Sequence, residues 1–479
     1  YLFRSAQGAD ASAGRALGRL TALNGLGAIV GSLTAGFLLL ELLGVWGSLT
    51  AMAVVYLLLA LVLPVRGARR AAMAGLAGMA AFTLLLVGGG DAVRPPVLRL
   101  AARERLVRVW EGSSGTVAVV RDETNLALRL NNHYTLGDTR SVAVEQMQAH
   151  VPLLLHPAPR AVFLIGLGTG ITAGAALDHE VEQLVATELV PEVTEAARAY
   201  FAPWANGLFT DPRATILSVD GRAFLAGSGE RYDVVIGDLF TPWHAGTGSL
   251  YTVEHFQAVR SRLRPGGLFA QWLPLYQLSE AEFAVIARTM TMVFPEVTLW
   301  RGDFSPAGPI VALVGRTTVE PLDQSVLARN VAALTGRSRS PRPGATSASG
   351  TDEHMVGLFY AGNLTRAGAL LAGQPINTSD RPVIEFLAPR SSSDSSTRFT
   401  GARLARFYDR LLEATPPERD PVLAGLPATE VAFVRAGLAF YNYHRFAADR
   451  PDLAADFLAR FRAVVPLRSE VAPGMLPAP

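Results

Sequence analysis

The feature that most restricts the fold is a glycine-rich turn set between two elements of different period. An apolar run, Ala161–Ile165, leads into Gly166-Leu167-Gly168-Thr169-Gly170, and a helical pattern begins near Ile171. Glycines after a strand let a ligand touch the backbone, while the helix start presents free N–H groups to an anionic group. Alone the motif is unspecific, because Gly168, Gly170 and Ala173 also have the spacing of a nicotinamide fingerprint. Its surroundings narrow it. Apolar runs at 184–187, 215–218, 234–237 and 268–272 alternate with helical patterns to about Trp300, as expected of a parallel α/β sheet. Three of them end in an acid: Glu188, 22 positions after Gly166; Asp220, in the pair Asp220-Gly221; and Asp238. In an open α/β sheet such strand ends share the edge where ligands bind, and an acid after the second strand accepts from ribose hydroxyls. A Rossmann-like, methyltransferase-type nucleoside-binding domain is therefore expected over residues 161–316.

The flanks differ in kind. Residues 21–40 and 42–65 carry no charge, and each is long enough to cross a bilayer as a helix. A third apolar stretch covers 71–90, so residues 1–95 read as transmembrane α-helices at about 21–41, 43–65 and 71–90. Gly27, Gly31 and Ala35 recur at four-residue spacing, which suits close helix approach as well as it suits simple abundance of small residues. Arg4, Arg15 and Arg19 before the first span, and Arg66, Arg69 and Arg70 after the second, place both segments in the cytoplasm by positive-inside logic. Three spans would then export the rest of the chain, whereas Arg94, Arg99, Arg103, Arg105 and Arg108 favour a cytoplasmic domain. An interfacial third stretch would reconcile the two. The expected location is a bacterial inner membrane, multi-pass, with sequence upstream of Tyr1.

Alternation around Val117, Val119, Leu126, Leu128 and Leu130 predicts a small β-unit, joined to a helix from Val144 to Leu155, so that 107–160 form a β-unit plus linking helix. Residues 336–352 read as a flexible linker and 353–479 as a mainly helical C-terminal region, with helices at 400–413 and 430–465. Asn377-Thr378-Ser379-Asp380-Arg381-Pro382 precedes a run, Val383-Ile384-Glu385-Phe386, that reads as a strand.

From about Val109 to Trp300 the chain resembles the polyamine aminopropyltransferases, of which spermidine synthase is the type. The resemblance lies in the small β-unit, the helix Gln146-Met147-Gln148-Ala149-His150-Val151-Pro152-Leu153, Asp211-Pro212-Arg213, Asp220-Gly221 and Tyr232-Asp233-Val234-Val235. It continues through Ser249-Leu250-Tyr251, Glu254-His255-Phe256 and Leu263-Arg264-Pro265-Gly266-Gly267. It implies that Gly166, Gly168, Thr169, Gly170, Glu188, Asp220 and Gly221 bind the nucleoside, with Glu188 on the ribose and Asp220 on the adenine. It further implies that Asp238 orients and deprotonates the attacking amine, with Gln146, Thr241 and Tyr251 near the substrate. A carboxylate suits that task, since an amine is mostly protonated at pH 7 and must lose its proton to attack. The co-substrate implied is decarboxylated S-adenosylmethionine. The NTSDRP segment also looks like an element of the membrane-fused relatives.

The departures fall on the amine side. Thr169 stands where the family has an aspartate in its glycine loop, Thr241 where it has a second aspartate after the catalytic one, and Val144-Glu145 where it has a tyrosine-glutamine pair. Fewer carboxylates weaken capture of a doubly charged diamine. Ordinary S-adenosylmethionine in a methyltransferase therefore stays open, as does a nucleoside or polyamine sensor coupled to a membrane domain. Trp243 and His244 fall in the loop after Asp238, and His150 reads as a helix-packing residue.

The chain has no cysteine, which excludes disulfides and thiolate sites, and its 8 histidines are scattered, so no metal is expected. A net charge of +2 argues against nucleic acid. The partners expected are a small-molecule amine and the lipid bilayer; a homo-oligomer is compatible with this reading.

Overall fold

A computed structural model describes residues 13–62, 69–88, 98–112, 114–131, 134–302, 308–337, 357, 359–424 and 426–439. Residues 338–352 of the expected linker and 440–465 of the expected last helix lie outside them. The chain forms two compact units, one of residues 1–124 with 129–134, the other of 125–128 with 135–479.

The first unit begins with helices α1 (Ala13–Thr34), α2 (Leu40–Val62) and α3 (Arg69–Gly88), with a π-helical turn at Ala35–Leu39. Where three spans are expected, one helix among the described residues is long and apolar enough to cross a membrane: Leu17–Leu59, 43 residues with mean hydropathy 2.0. The third expected span yields a shorter apolar helix, Gly75–Leu85, so a multi-pass arrangement is not supported. Gly44 (φ 66°, ψ −176°) interrupts α2, just inside the second expected span, 43–65. Strands β1 (Arg105–Gly112) and β2 (Gly115–Arg121) form an antiparallel hairpin in the same unit. With β3 (Leu126–Leu130) and β4 (Tyr134–Asp138) they follow one another in a four-stranded sheet, the expected small β-unit.

The second unit holds α4 (Val142–Leu154) and then β5 (Ala161–Ile165), α5 (Ile171–Ala176), β6 (Gln183–Glu188), α6 (Pro191–Ala196), β7 (Ala214–Ser218), α7 (Gly221–Gly227), β8 (Tyr232–Gly237), α8 (Val253–Arg262) and β9 (Leu263–Pro274). There follow α9 (Glu280–Thr291), β10 (Glu296–Arg301), β11 (Ile310–Arg316), α10 (Gln324–Arg337), β12 (Tyr360–Asn363), α11 (Val383–Ser392), α12 (Gly401–Ala414) and α13 (Ala428–Ala439). The sheet order is β12-β10-β11-β9-β8-β5-β6-β7. Strands β9, β8, β5, β6 and β7 run parallel, and β11 enters antiparallel between β9 and β10. This is a Rossmann-type methyltransferase sheet. Its central strands are buried on both faces, which is why they read as unbroken apolar runs. Alternate residues serve two cores: Phe163, Val235 and Phe269 pack on one face, Leu164, Val234 and Leu268 on the other. Each such side chain removed from water contributes about 1.5–3 kcal/mol.

One expectation is corrected past residue 316. Val383-Ile384-Glu385-Phe386 is the first turn of helix α11, not a strand; Ile384 and Ala388, four residues apart, form its buried face. The mainly helical C-terminal region also contributes β12, which pairs antiparallel with β10 and closes that edge of the sheet.

Candidate active site at the strand ends

Strands β5, β6, β7 and β8 bring the glycine loop, Glu188, Asp220 and Asp238 to one edge of the sheet. The order reverses between β5 and β8, so the chain leaves the sheet there toward opposite faces and opens a crevice. Gly166 (φ 94°) and Gly168 (φ 52°) adopt a conformation that favours glycine. A Cβ on Gly166 would lie 3.0 Å from Cβ of Asp238 and 3.4 Å from the Phe240 ring, so only the bare backbone lets β5 turn this close to the end of β8.

Glu188 is tied to that loop. Its Oε2 accepts from the N–H groups of Leu167 (3.2 Å) and Gly168 (3.3 Å), and its Oε1 from Val190 N–H (3.0 Å). Burial raises its pKa, against the lowering effect of these backbone donors. Asp220 caps α7, its Oδ1 accepting from Arg222 N–H (2.8 Å) and Ala223 N–H (3.1 Å). Gly221 follows because nothing larger fits, a Cβ there meeting Thr187 Oγ1 at 2.4 Å.

Asp238 donates its N–H to Ile165 O (3.0 Å), and its Oδ1 accepts from Leu239 N–H (2.7 Å). Burial, with the negative charge of Glu188 adding to it, pushes its carboxyl up to about 7. Close by, Glu145 of α4 is 8% exposed. The Thr169 hydroxyl donates to its Oε2, and Asp138 N–H donates to its Oε1 at 3.1 Å. Thr172 Oγ1 donates to its backbone oxygen at 3.0 Å, so two threonines of the loop and α5 seat this one residue. Burial raises the Glu145 carboxyl to about 8, and the charges of Asp238 and Asp138 work in the same direction.

The other residues singled out in the sequence divide clearly. Thr169 is buried, its hydroxyl on Glu145; Gly170 (φ 82°) starts α5. Gln146 is half-buried on α4, and Thr241 is half-buried in the loop after Asp238, where its carbonyl accepts from His244 N–H. Tyr251 is fully buried against Phe240, with a hydroxyl that has no hydrogen-bond partner among the described residues. His244 is exposed and Trp243 packs against the core, while His150 pairs with His179 at 2.9 Å. Several motif residues are architectural. Asp233 accepts from the N–H groups of Arg160 and Ala161 and from the Arg264 guanidinium, pinning the start of β5. The Asp211–Arg213 ion pair steadies the turn into β7, Arg213 also donating to the carbonyls of Val181 and Leu177.

Glu145 and Gln271 were not read as site residues in the sequence. Gln271 is fully buried opposite Gly237; its Nε2 donates to Asp238 O (3.1 Å) and Trp272 O (3.0 Å), and its Oε1 has no partner among the described residues. A polar residue inside the run Phe269-Ala270-Gln271-Trp272-Leu273 was the available signal.

Residues 141–300 match the spermine/spermidine synthase domain. Polyamine aminopropyltransferase 2 of Pseudomonas aeruginosa is 38% identical over 152 residues, 31% of this chain and 44% of that protein. The polyamine aminopropyltransferase of Aeropyrum pernix is 36% identical over 186 residues, 38% of this chain and 59% of that protein. The chain thus spans about half the length of these relatives. A spermidine synthase structure from Thermotoga maritima aligns with 50% of this chain and 85% of its own, at 24% identity and a TM-score of 0.41. The similarity to the spermine/spermidine synthase domain thus lies in residues 141–300, and the relatives that share it are polyamine aminopropyltransferases.

Proposed function

We propose that this protein is a membrane-anchored aminopropyltransferase that moves the aminopropyl group of decarboxylated S-adenosylmethionine to an amine. The observation that carries the reading is the convergence of Glu188, Asp220 and Asp238 around the glycine loop, within a domain homologous to enzymes of that name. Glu188, anchored to the glycine loop by the N–H groups of Leu167 and Gly168 and to Val190 N–H, is assigned to the ribose hydroxyls. Asp220 caps α7 through Oδ1, and its second oxygen is assigned to the adenine amino group.

Asp238 is the base. Its carboxyl near 7 is ready to take a proton as the amine nitrogen bonds to the propyl carbon. The carbon–sulfur bond breaks in the same step, and its electron pair stays on sulfur as the neutral thioether of methylthioadenosine. Alignment of nitrogen, carbon and sulfur supplies much of the remaining acceleration. Gln271 offers an unpartnered acceptor beside this point.

Glu145 bears on the choice of donor. Thr169 removes a carboxylate from the loop, which favours a methyltransferase reading, yet Glu145 returns one to the same place through the Thr169 hydroxyl. It is assigned to the aminopropyl ammonium, a group that ordinary S-adenosylmethionine carries beside a repelled carboxylate. The apolar helix Leu17–Leu59, with Leu23, Leu26, Phe37 and Leu42 exposed, supports anchoring in a bilayer.

The test is calorimetric titration of the full chain in detergent with methylthioadenosine, decarboxylated S-adenosylmethionine and S-adenosylmethionine. Preference for the decarboxylated form, followed by aminopropyl transfer to an amine panel, is expected. Preference for S-adenosylmethionine would move the assignment to methyl transfer, and no binding to any of the three would end both.

A further inference from the structure

The loop that leaves the sheet edge at Asp238 is held by a segment far along the chain and outside the synthase domain. Glu385, in the first turn of α11, accepts Gly246 N–H on Oε1 (2.7 Å) and Gly248 N–H on Oε2 (3.1 Å). Asn377 is fully buried. Its Nδ2 donates to Gly248 O (3.0 Å), its Oδ1 accepts from Ile384 N–H (3.2 Å), and its backbone oxygen accepts from Val253 N–H (3.0 Å). Thr289 Oγ1 accepts the Asn377 N–H at 3.0 Å, which fixes the segment to α9. Both glycines are needed for this contact. Gly246 has φ 87°, and a Cβ on Gly248 would lie 2.8 Å from both the backbone nitrogen and Oε2 of Glu385.

A carboxylate accepting two backbone N–H groups separated by one residue fixes that turn more firmly than an exposed loop fixes itself, since charge-assisted bonds are the stronger class. The same loop carries Phe240 against the glycine turn and Thr241, Trp243 and His244 beyond it.

We infer that Glu385 and Asn377 are positioning residues that hold the 241–248 loop in place, and through it set how well the acceptor amine is bound. This gives a role to the Asn377-to-Glu385 segment, whose sequence alone carries no chemistry. The identity of the acceptor rests on the proposed function; the clamp rests on its own hydrogen bonds.

The experiment uses the full chain in detergent. Glu385→Ala and the milder Glu385→Gln are compared with Ser379→Ala, which removes only an exposed contact to Glu254 on the same segment. Amide exchange at Gly246 and Gly248 is expected to quicken at least tenfold in Glu385→Ala and less in Glu385→Gln. KM for the amine is expected to rise about tenfold, with kcat and methylthioadenosine affinity within twofold and Ser379→Ala unchanged. Unchanged exchange at both glycines, or equal losses of methylthioadenosine and amine binding, would overturn the clamp. A wild-type chain that binds no nucleoside would instead sink the proposed function, and the exchange comparison would still decide the clamp.

Discussion

On the β6–β7 side of the site the acids are held by backbone: Glu188 accepts three N–H groups and Asp220 caps a helix with two. On the β8–α4 side they are held in burial. Among the described residues Asp238 accepts only its neighbour's N–H, Glu145 accepts one N–H and one hydroxyl, and their carboxyls sit at about 7 and 8. The first side is a preformed mould whose geometry matters. The second is a charge reservoir whose proton occupancy matters, which suits a half that must take up a cation and accept a proton.

Changing one group on each side separates the two kinds of control. Asp238→Asn has the largest expected effect, a loss of about 10²–10⁴-fold in kcat with methylthioadenosine binding retained. In the wild type, kcat/KM for the amine should climb about tenfold per pH unit below 7 and flatten above it, because the base works only when deprotonated. A flat profile across pH 6–8 would remove Asp238 from that role. Next comes Glu188→Ala, expected to lower affinity for methylthioadenosine and its aminopropyl parent alike, about tenfold to a hundredfold by calorimetry.

Glu145→Gln should be selective, weakening the decarboxylated donor about tenfold while leaving methylthioadenosine, which lacks the ammonium, within twofold. In the wild type, donor affinity should rise with pH through about 8, since only the deprotonated Glu145 attracts the cation. Equal losses for both ligands would mean that Glu145 merely packs. Asp220→Asn should do least: asparagine keeps the cap, and nucleoside affinity should fall about threefold. A hundredfold fall there would break the ranking of the two sides.

The mould was far easier to see in the sequence than the reservoir. Strands such as Ala161–Ile165 and 234–237 are buried on both faces, so their apolar runs announce them, and the acids that end them follow in order. Glu145 gains its meaning only from Thr169, 24 residues away, through a contact that no local period encodes. Val383-Ile384-Glu385-Phe386 misled for a related reason: four residues with three apolar members fit a strand and a helix turn equally, and Pro382 at the helix start was the cue that decided it. Strand β12 is only Tyr-Ala-Gly-Asn, too short and too glycine-tolerant to show a pattern.

That short strand has a consequence for anyone who trims the chain. Tyr360–Asn363 occupies the outer hydrogen-bonding side of β10, facing Thr298, Leu299 and Trp300, and Leu411 of α12 lies over Gly362. A chain cut after Arg316 would lose both and carry a bare, apolar strand margin, the kind of surface on which protein molecules stack into aggregates. Poor behaviour of such a fragment would then report a missing four-residue seal, and not an unstable catalytic domain.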